Sequence, residues 1–409
     1  MSEKCCLLVC GGGNGAHVLS GLAAADPHTE VRVLTLFREE ARDWTKSMET
    51  NDFTVNILNN KDNDKDKDKV KTLKNKPDRV SKDPSIAKEC NMILFVVPAF
   101  GHKEYLEKLK PYVTPGTAII GMPGQAGFEL DVMSALGDIA KDCPLGNFES
   151  LPWACRIESY GKEVTVLGTK EGLAGSINPG QTSTLKDPIA TLQRILGKNP
   201  ALVVKGHILG MTLMSTNAYL HPSILYAKWK DYKKGDVVSE APLFYHGIDK
   251  VAADTLSGIS DEILNTAKAI MEMYPDIDLS NVIHIYDWFM QAYHDQIENK
   301  GTLYDAIRSN KAYKGLTHPM VKVDDDDKKL KPDFRYRYFT EDLPYGLVCL
   351  RGIAELAGVA TPTMDKVIEW AQNLMEKSYL VKGNIAGSDV KSTRSPQAFG
   401  YTLDKVLGK

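Results

Sequence analysis

Net charge is nearly absent from this chain: 50 lysines and arginines against 53 aspartates and glutamates leave −3 over 409 residues. So small an excess gives no electrostatic basis for binding nucleic acid or an anionic membrane surface. Long apolar runs are missing too, so no segment reads as a bilayer-spanning helix. The opening Met1-Ser2-Glu3-Lys4 leads straight into an apolar strand without the stretch that marks a secretory signal, and a cytoplasmic address is expected. Cysteine is scarce: seven, an odd number, with no C-x-x-C pair and no histidine-rich neighbour. That argues against a disulfide framework and against a metal site, and leaves the thiols as small buried hydrophobes. With 43% hydrophobic and 25% charged residues, the chain can bury a large core, and its length suits two domains or three.

Against this plain background the run Cys10-Gly11-Gly12-Gly13-Asn14-Gly15-Ala16-His17 stands out, because it follows the apolar strand Cys6 to Val9 and opens a helix of small residues. In the register G-x-G-x-x-A, Gly11 makes the tight turn, Gly13 lets the backbone approach a pyrophosphate, and Ala16 lets helix and strand pack closely. The pyrophosphate would then sit on unpaired N–H groups at the helix N-terminus, with Asn14 and Gly15 beside it. Glycine-rich turns also arise for purely conformational reasons, so the motif alone leaves that alternative open.

Short β-rich runs recur over the first two hundred residues: Cys6 to Val9, Val31 to Leu36, Met92 to Val97, Ala118 to Met122 and Val164 to Leu167. Their alternation with helical stretches predicts a parallel sheet with crossover helices, an α/β Rossmann domain over 1–206. The segment Lys61 to Lys71, where Lys and Asp alternate, reads as a solvated loop joining two strands, and Asp324 to Asp327 as an acidic loop. Helical patterns dominate from 207 to 409, as in Ala252 to Met273, Val282 to Asn299, Tyr345 to Ala357 and Thr363 to Lys377. A second, all-helical domain is expected there, with Thr340 as an N-cap and Gly358 as a C-terminal stop. A ligand would lie at the carboxyl ends of the strands, and the reacting groups should come from both domains.

Within the helical segment His207 to Lys230, His221 is followed by Pro222. Proline cannot donate to the carbonyl of Ala218 and biases His221 away from helical geometry, so the helix should kink or start afresh at His221. Asn217, four residues earlier, shares a face with His221 and is expected to point inward with it. The alternative is a core histidine beside a chance proline.

Five motifs in order resemble a family: Gly11-Gly12-Gly13-Asn14-Gly15-Ala16, Pro123-Gly124-Gln125-Ala126-Gly127, Leu151-Pro152-Trp153-Ala154-Cys155-Arg156, His221-Pro222, and Arg337-Tyr338-Phe339-Thr340-Glu341-Asp342. Together they look like an opine dehydrogenase of the octopine dehydrogenase type, over essentially the whole chain. The resemblance implies a Rossmann domain followed by a helical domain, and NADH-dependent condensation of pyruvate with the amino group of an amino acid or taurine, regenerating NAD in anaerobic glycolysis. It implies His221 as the acid–base group, Asp342 as its pairing carboxylate, and Arg337 as the holder of a substrate carboxylate. Without the family, Arg337 and Asp342 read equally well as an exposed pair at a helix start. Gln125 would meet the keto acid through an amide that donates and accepts. Cys155 would line the pocket without acting as a nucleophile, and Trp288 would supply an aromatic wall.

Cofactor choice turns on the end of the second strand, Thr35-Leu36-Phe37-Arg38-Glu39, which lacks the usual acid. Arg38 would face a 2′-phosphate, whereas Glu39 or Glu40 would reach a ribose; NAD is the expectation, with Phe37, Arg38, Val97 and Pro98 completing its contacts. Octopine-specific relatives carry a bulkier aromatic at the position of Asn217, which favours alanine, glycine or taurine over arginine here. A monomer is expected from the family. The same two-domain plan serves 6-phosphogluconate, glycerol-3-phosphate and ketopantoate dehydrogenases, but their catalytic lysine has no counterpart near His221. A nucleotide-binding redox sensor would have no use for His221, Asn217 and Asp342 together.

Overall fold

The computed structural model describes residues 3–58, 70–324 and 326–409, which divide into two compact units, Met1–Met211 and Thr212–Lys409. The strands of the first unit are β1 (Cys5–Cys10), β2 (Thr29–Leu34), β3 (Thr54–Leu58), β4 (Val70–Lys74), β5 (Arg79–Ser81), β6 (Met92–Phe95), β7 (Ala118–Gly121), β8 (Leu145–Phe148), β9 (Trp153–Ser159), β10 (Glu163–Thr169), β11 (Gly172–Asn178) and β12 (Ala201–Val204). Eight of them form one sheet in the order β12, β11, β8, β7, β6, β1, β2, β5, parallel except where β11 runs against β8. Leu7 of β1 lies opposite Val31 of β2 on one side and Met92 of β6 on the other. The chain therefore reverses direction across the sheet at β1, and the glycine run leaves the carboxyl end of the strand where such a sheet opens a crevice.

Period-two alternation explains the layering. Leu7 and Val9 join one core with Val18 and Leu19 of helix α1 (Asn14–Ala24), while Leu8 and Cys10 join a second with Tyr105 and Leu106, beyond the sheet's other face. The other helices of this unit are α2 (Glu40–Thr50), α3 (Ala99–Leu109), α4 (Phe128–Leu136), α5 (Ile139–Asp142) and α6 (Pro188–Leu196), and α7 (Ile208–Leu213) runs across the division between units. The expected strand Val164 to Leu167 is present as β10 but outside the parallel sheet. It pairs with β3 and β9 in a separate four-stranded sheet ordered β4, β3, β10, β9, because a β9–β10 hairpin presents its apolar face to α1 rather than extending the row. Of the Lys/Asp-rich segment, positions 61–69 lie outside the described residues, and Lys71 belongs to β4.

The second unit is helical: α8 (Asn217–Trp229), α9 (Lys250–Met273), α10 (Ile285–Tyr293), α11 (Leu303–Arg308), α12 (Arg337–Thr340), α13 (Val348–Leu356) and α14 (Pro362–Leu374). Two small hairpins accompany them, β13 (Met320–Val323) with β14 (Asp326–Pro332), and β15 (Leu380–Val381) with β16 (Asn384–Ile385). Of the acidic run, Asp324 is left-handed at φ 54° and Asp326 is already in β14, while position 325 lies outside the described residues. Gly358 ends α13 as expected, left-handed at φ 70° with Val359 N–H bonded to the Ala354 carbonyl. Thr340 is not an N-cap: it closes α12, and a π-turn, Leu343–Leu347, follows Asp342 with Leu347 N–H bonded to the Asp342 carbonyl. The helix expected over Val282 to Asn299 is regular only from Ile285 to Tyr293. No helix among the described residues is long and apolar enough to cross a membrane.

Candidate active site

The glycine run includes a position that the protein's own packing does not require to be glycine. Gly11 has φ 131°, and a Cβ there would stand 2.7 Å from the Val96 carbonyl oxygen and 2.9 Å from Val97, so the turn itself demands glycine. Gly13 is different: its φ of −86° suits any residue, and a Cβ would meet no atom within 4 Å. Its missing side chain leaves open space over the start of α1, which carries neither a side-chain cap nor an acid in its first turn. Close packing falls on Gly15, where a Cβ would strike Leu151, and on the fully buried Ala16. The Asn14 side chain is committed to structure, accepting from Ile157 N–H of β9 at 2.9 Å. Pro98 precedes α3 at the neighbouring strand end.

Past β2, Phe37 and Arg38 are exposed, and the Arg38 guanidinium lies 4.8 Å over the Phe37 ring. Glu39 pairs with Arg42 at 3.3 Å on the surface. Glu40 turns back instead: its carboxylate accepts from the Thr35 hydroxyl and lies against Gly12, close enough to fill the place of a Cβ there. Of the two acids considered, Glu40 is the one beside the glycine loop, six positions past the strand end. His17, in the first turns of α1, was not anticipated. It is fully buried, with Nδ1 at 3.1 Å from the Gly13 carbonyl and Nε2 accepting from Gly161 N–H at 3.0 Å, and its ring stacks on Trp44 at 3.7 Å. Burial lowers its pKa to about 4, so it is a neutral strut under the loop.

Gln125 sits left-handed at φ 61° in the turn after β7. Asn147, 1% exposed on β8, fixes that turn by accepting from Gly124 N–H at 3.1 Å and donating to the Gln125 carbonyl at 3.0 Å. Cys155 is half-buried on β9, opposite Val166, and desolvation raises its thiol to about 11. A thiol held protonated is no nucleophile.

In the second unit the helix does not restart at His221. It restarts at Asn217, after the break at Met214–Thr216, and runs through Pro222. Residues 218–225 are all buried, and that packing holds the helix across the one carbonyl that proline leaves undonated. Asn217 is exposed rather than inward, whereas His221 is 5% exposed. Gly346 of the π-turn lets α8 come close, since a Cβ there would stand 2.6 Å from that of Ala218. That approach sets His221 Nδ1 2.7 Å from Asp342 Oδ2. Both side chains are under 10% exposed, so the reading of Asp342 as half of an exposed pair with Arg337 is overturned. Arg337 pairs instead with Glu341, at 2.8 Å.

The other side of His221 is aromatic. Nε2 lies 2.9 Å from the Tyr245 hydroxyl, and the ring stacks on Tyr338 at 3.8 Å with 20° between planes. Tyr245 stacks in turn on Tyr313 at 3.9 Å, and Phe289, Tyr293 and the half-buried Trp288 continue the cluster. Burial raises the Tyr245 and Tyr338 hydroxyls above their ordinary range, so both are protonated donors at neutral pH. Tyr338 was visible inside the Arg337–Asp342 motif. Tyr245 lies in an irregular stretch where no periodicity marks it.

Among the described residues no cluster of His, Cys, Asp and Glu has the make-up of a metal site. Residues 204–375 match the family model described as NAD/NADP octopine/nopaline dehydrogenase, alpha-helical domain. The chain is 49% identical to the tauropine dehydrogenase of Arabella iricolor, with 98% of this chain and 99% of that one covered, and 46% identical to the octopine dehydrogenase of Pecten maximus, with 100% and 99% covered. The solved structure of octopine dehydrogenase with NADH and L-arginine superposes with a TM-score of 0.93 at 45% identity, covering 99% of this chain and 98% of that one. Full-length likeness of this degree, joined to a glycine cradle in one unit and a carboxylate-paired histidine in the other, means that the chain belongs to the opine dehydrogenase family.

Proposed function

We propose that the chain catalyses the reversible, NADH-dependent condensation of pyruvate with the amino group of a small amino acid or taurine. It is an oxidoreductase acting on a CH–NH bond. The observation that carries the assignment of roles is the buried His221 held between a carboxylate and a phenol. Asp342 keeps a proton on Nδ1, which leaves Nε2 to take a proton from the substrate ammonium and to return one to the departing carbinol oxygen. When positive charge develops on the ring, the same carboxylate stabilises it. Arg337 holds a carboxylate of the substrate, Gln125 orients the keto acid, and Cys155 and Trp288 bound the site. Reduced nicotinamide supplies the hydride that reduces the imine carbon.

Gly11, its N–H bonded to the Leu34 carbonyl, would shape the turn, while Gly13, Asn14, Gly15 and Ala16 would present N–H groups to the pyrophosphate, with Phe37, Arg38, Val97 and Pro98 around it and Glu40 accepting from the adenosine ribose. Asn217, one turn before His221, stands where octopine-specific relatives carry a bulkier aromatic, and that difference supports alanine, glycine or taurine as partner. The enzyme acts as a cytoplasmic monomer. NADH consumption with pyruvate and a panel of amines, set against pyruvate alone, tests the reading. No dependence on amine removes the opine reaction, and a strict preference for arginine removes the small-amine assignment.

A further inference from the structure

Cys6 of β1 and Cys90, which closes the turn before β6, bring their Sγ atoms within 3.4 Å although 84 positions separate them in sequence. The backbones beside them are tied: Cys6 N–H donates to Asn91 Oδ1 at 2.9 Å, and Asn91 N–H to the Cys6 carbonyl at 3.1 Å. Glu89, left-handed at φ 66°, turns the chain into this position. Cys6 is half-buried, whereas Cys90 is 4% exposed. Behind the sulfurs lies Arg32, itself buried. Its guanidinium donates to the carbonyls of Ile86 at 3.0 Å and Lys88 at 2.6 Å, and comes within 3.9 Å of Cys90 Sγ. The hydrogen bond to Cys90, with the Arg32 charge beyond it, holds the Cys6 thiol below the ordinary cysteine range. Elsewhere burial prevails, pushing Cys5 up to about 12 and Cys155 to about 11. The activated thiol is thus the half-buried member of a close pair, and its partner sulfur is already in contact.

We propose that Cys6 and Cys90 are a redox modification site, a dithiol that hydrogen peroxide closes to a disulfide and a thiol reductant reopens. The Cys6 thiolate attacks one oxygen of the peroxide: an S–O bond forms, the O–O bond breaks, and the leaving hydroxide recovers the proton that Cys6 gave up, as water. Cys90 then attacks the Cys6 sulfur. An S–S bond forms, the S–O bond breaks, and the departing hydroxide takes the Cys90 proton and leaves as a second water. The two sulfurs together lose two electrons, and the peroxide gains them. In closing, the sulfurs move from 3.4 Å to about 2 Å apart by rotation of the two side chains. The bond pins the amino end of β1 to the turn that feeds β6, and the far ends of these two paired strands lead to Gly11 and to Val96, which lie against each other. Reversible disulfides of this kind are typical of redox-responsive sites rather than of structural frameworks.

The test treats the folded full-length chain with hydrogen peroxide and then with dithiothreitol, followed by thiol titration, peptide mass mapping and melting temperature. The expected result is the loss of two titratable thiols, a peptide pair joined through Cys6 and Cys90, and a melting temperature raised by about 5 °C or more, as closing so long a loop should give. Dithiothreitol should reverse all three. Cys90→Ser should stop at a Cys6 sulfenic acid that dimedone traps, and Cys6→Ser should give neither the adduct nor the cross-link. Both variants should keep wild-type melting temperatures before oxidation. Should Cys90→Ser fail to fold, Cys6→Ser, at the half-buried position, carries the loss of the cross-link. Absence of a Cys6–Cys90 link in the wild type, a link from either residue to another cysteine, or an undiminished loss of thiols in Cys6→Ser overturns the dithiol. A melting temperature lowered by the cross-link overturns the pinning of β1.

Discussion

Replacing Asp342 by asparagine should disable the chemistry and leave cofactor binding intact. The carboxylate lies 2.7 Å from His221 Nδ1, and the two side chains are 9% and 6% exposed, so little water screens the pair or substitutes for a lost partner. Asparagine keeps the volume but has an amide end that donates. With its Nδ2 turned to the ring, Nδ1 must accept, the proton moves to Nε2, and Tyr245 must turn from donor to acceptor. The tautomer is then the wrong one for taking a proton from the amine. Leaving the positive charge that develops on the ring during turnover without its buried carboxylate costs about 3–5 kcal/mol. If most of that appears in the transition state, kcat falls by about 10²–10⁴ at roughly 1.4 kcal/mol per decade, matching the usual worth of an acid–base group. NADH affinity should stay within about twofold, a shift of only ~0.4 kcal/mol, because the glycine cradle lies in the other unit. Rapid-mixing measurements of NADH oxidation give kcat, and nucleotide fluorescence gives the dissociation constant. A kcat within tenfold of wild type, or a matching loss of NADH affinity, would refute the division of labour.

Gly13→Ala should weaken NADH binding by tenfold or more with the melting temperature unchanged, since its Cβ meets no protein atom; a calorimetric titration showing wild-type affinity would mean that nothing approaches Gly13. Glu40→Gln should raise activity with NADPH relative to NADH by about tenfold, one charge removed from the ribose site; steady-state rates with both nucleotides check it, and unaltered selectivity would exclude Glu40 as the ribose acid. Acid should destabilise the fold through His17 and His318, which burial lowers to about 4 and about 3. The unfolded chain binds those protons below about 6.5 while the folded one resists, so stability is full above that pH and is lost as pH falls toward 4, by about 3 kcal/mol for His17. Melting temperature against pH measures this, and a flat curve between 6.5 and 4 contradicts it.

Much of the first unit was legible because its signals are local. Cys6 to Val9 and Met92 onward are apolar, bounded runs, and the register G-x-G-x-x-A fixes where the helix must start. What was not legible depended on partners distant in sequence. The run Val164 to Leu167 has the same texture as a parallel strand, and only its hairpin with β9 assigns it to another sheet. Pro222 breaks a helix by its local chemistry, yet burial on every side of α8 overrides it. Arg337 and Asp342 looked like one pair from their spacing; the π-turn splits them by swinging Asp342 toward α8 and leaving Arg337 to Glu341.

Burial alone does not mark a candidate acid–base histidine, and this chain provides the comparison. Of its four buried histidines among the described residues, His17 meets a backbone carbonyl and a backbone N–H, His102 meets the Val97 carbonyl, and His318 accepts from the Trp229 indole. Backbone groups and an indole N–H do not ionise near neutral pH. For His17 and His318, burial also pushes the ring toward the neutral form, so each is held in one state. His221 differs in kind: one nitrogen faces a carboxylate that gains by facing a cation, and the other a hydroxyl that both donates and accepts. Either protonation state of that ring finds complementary partners without moving a heavy atom, which is the property an acid–base group needs and a core histidine lacks.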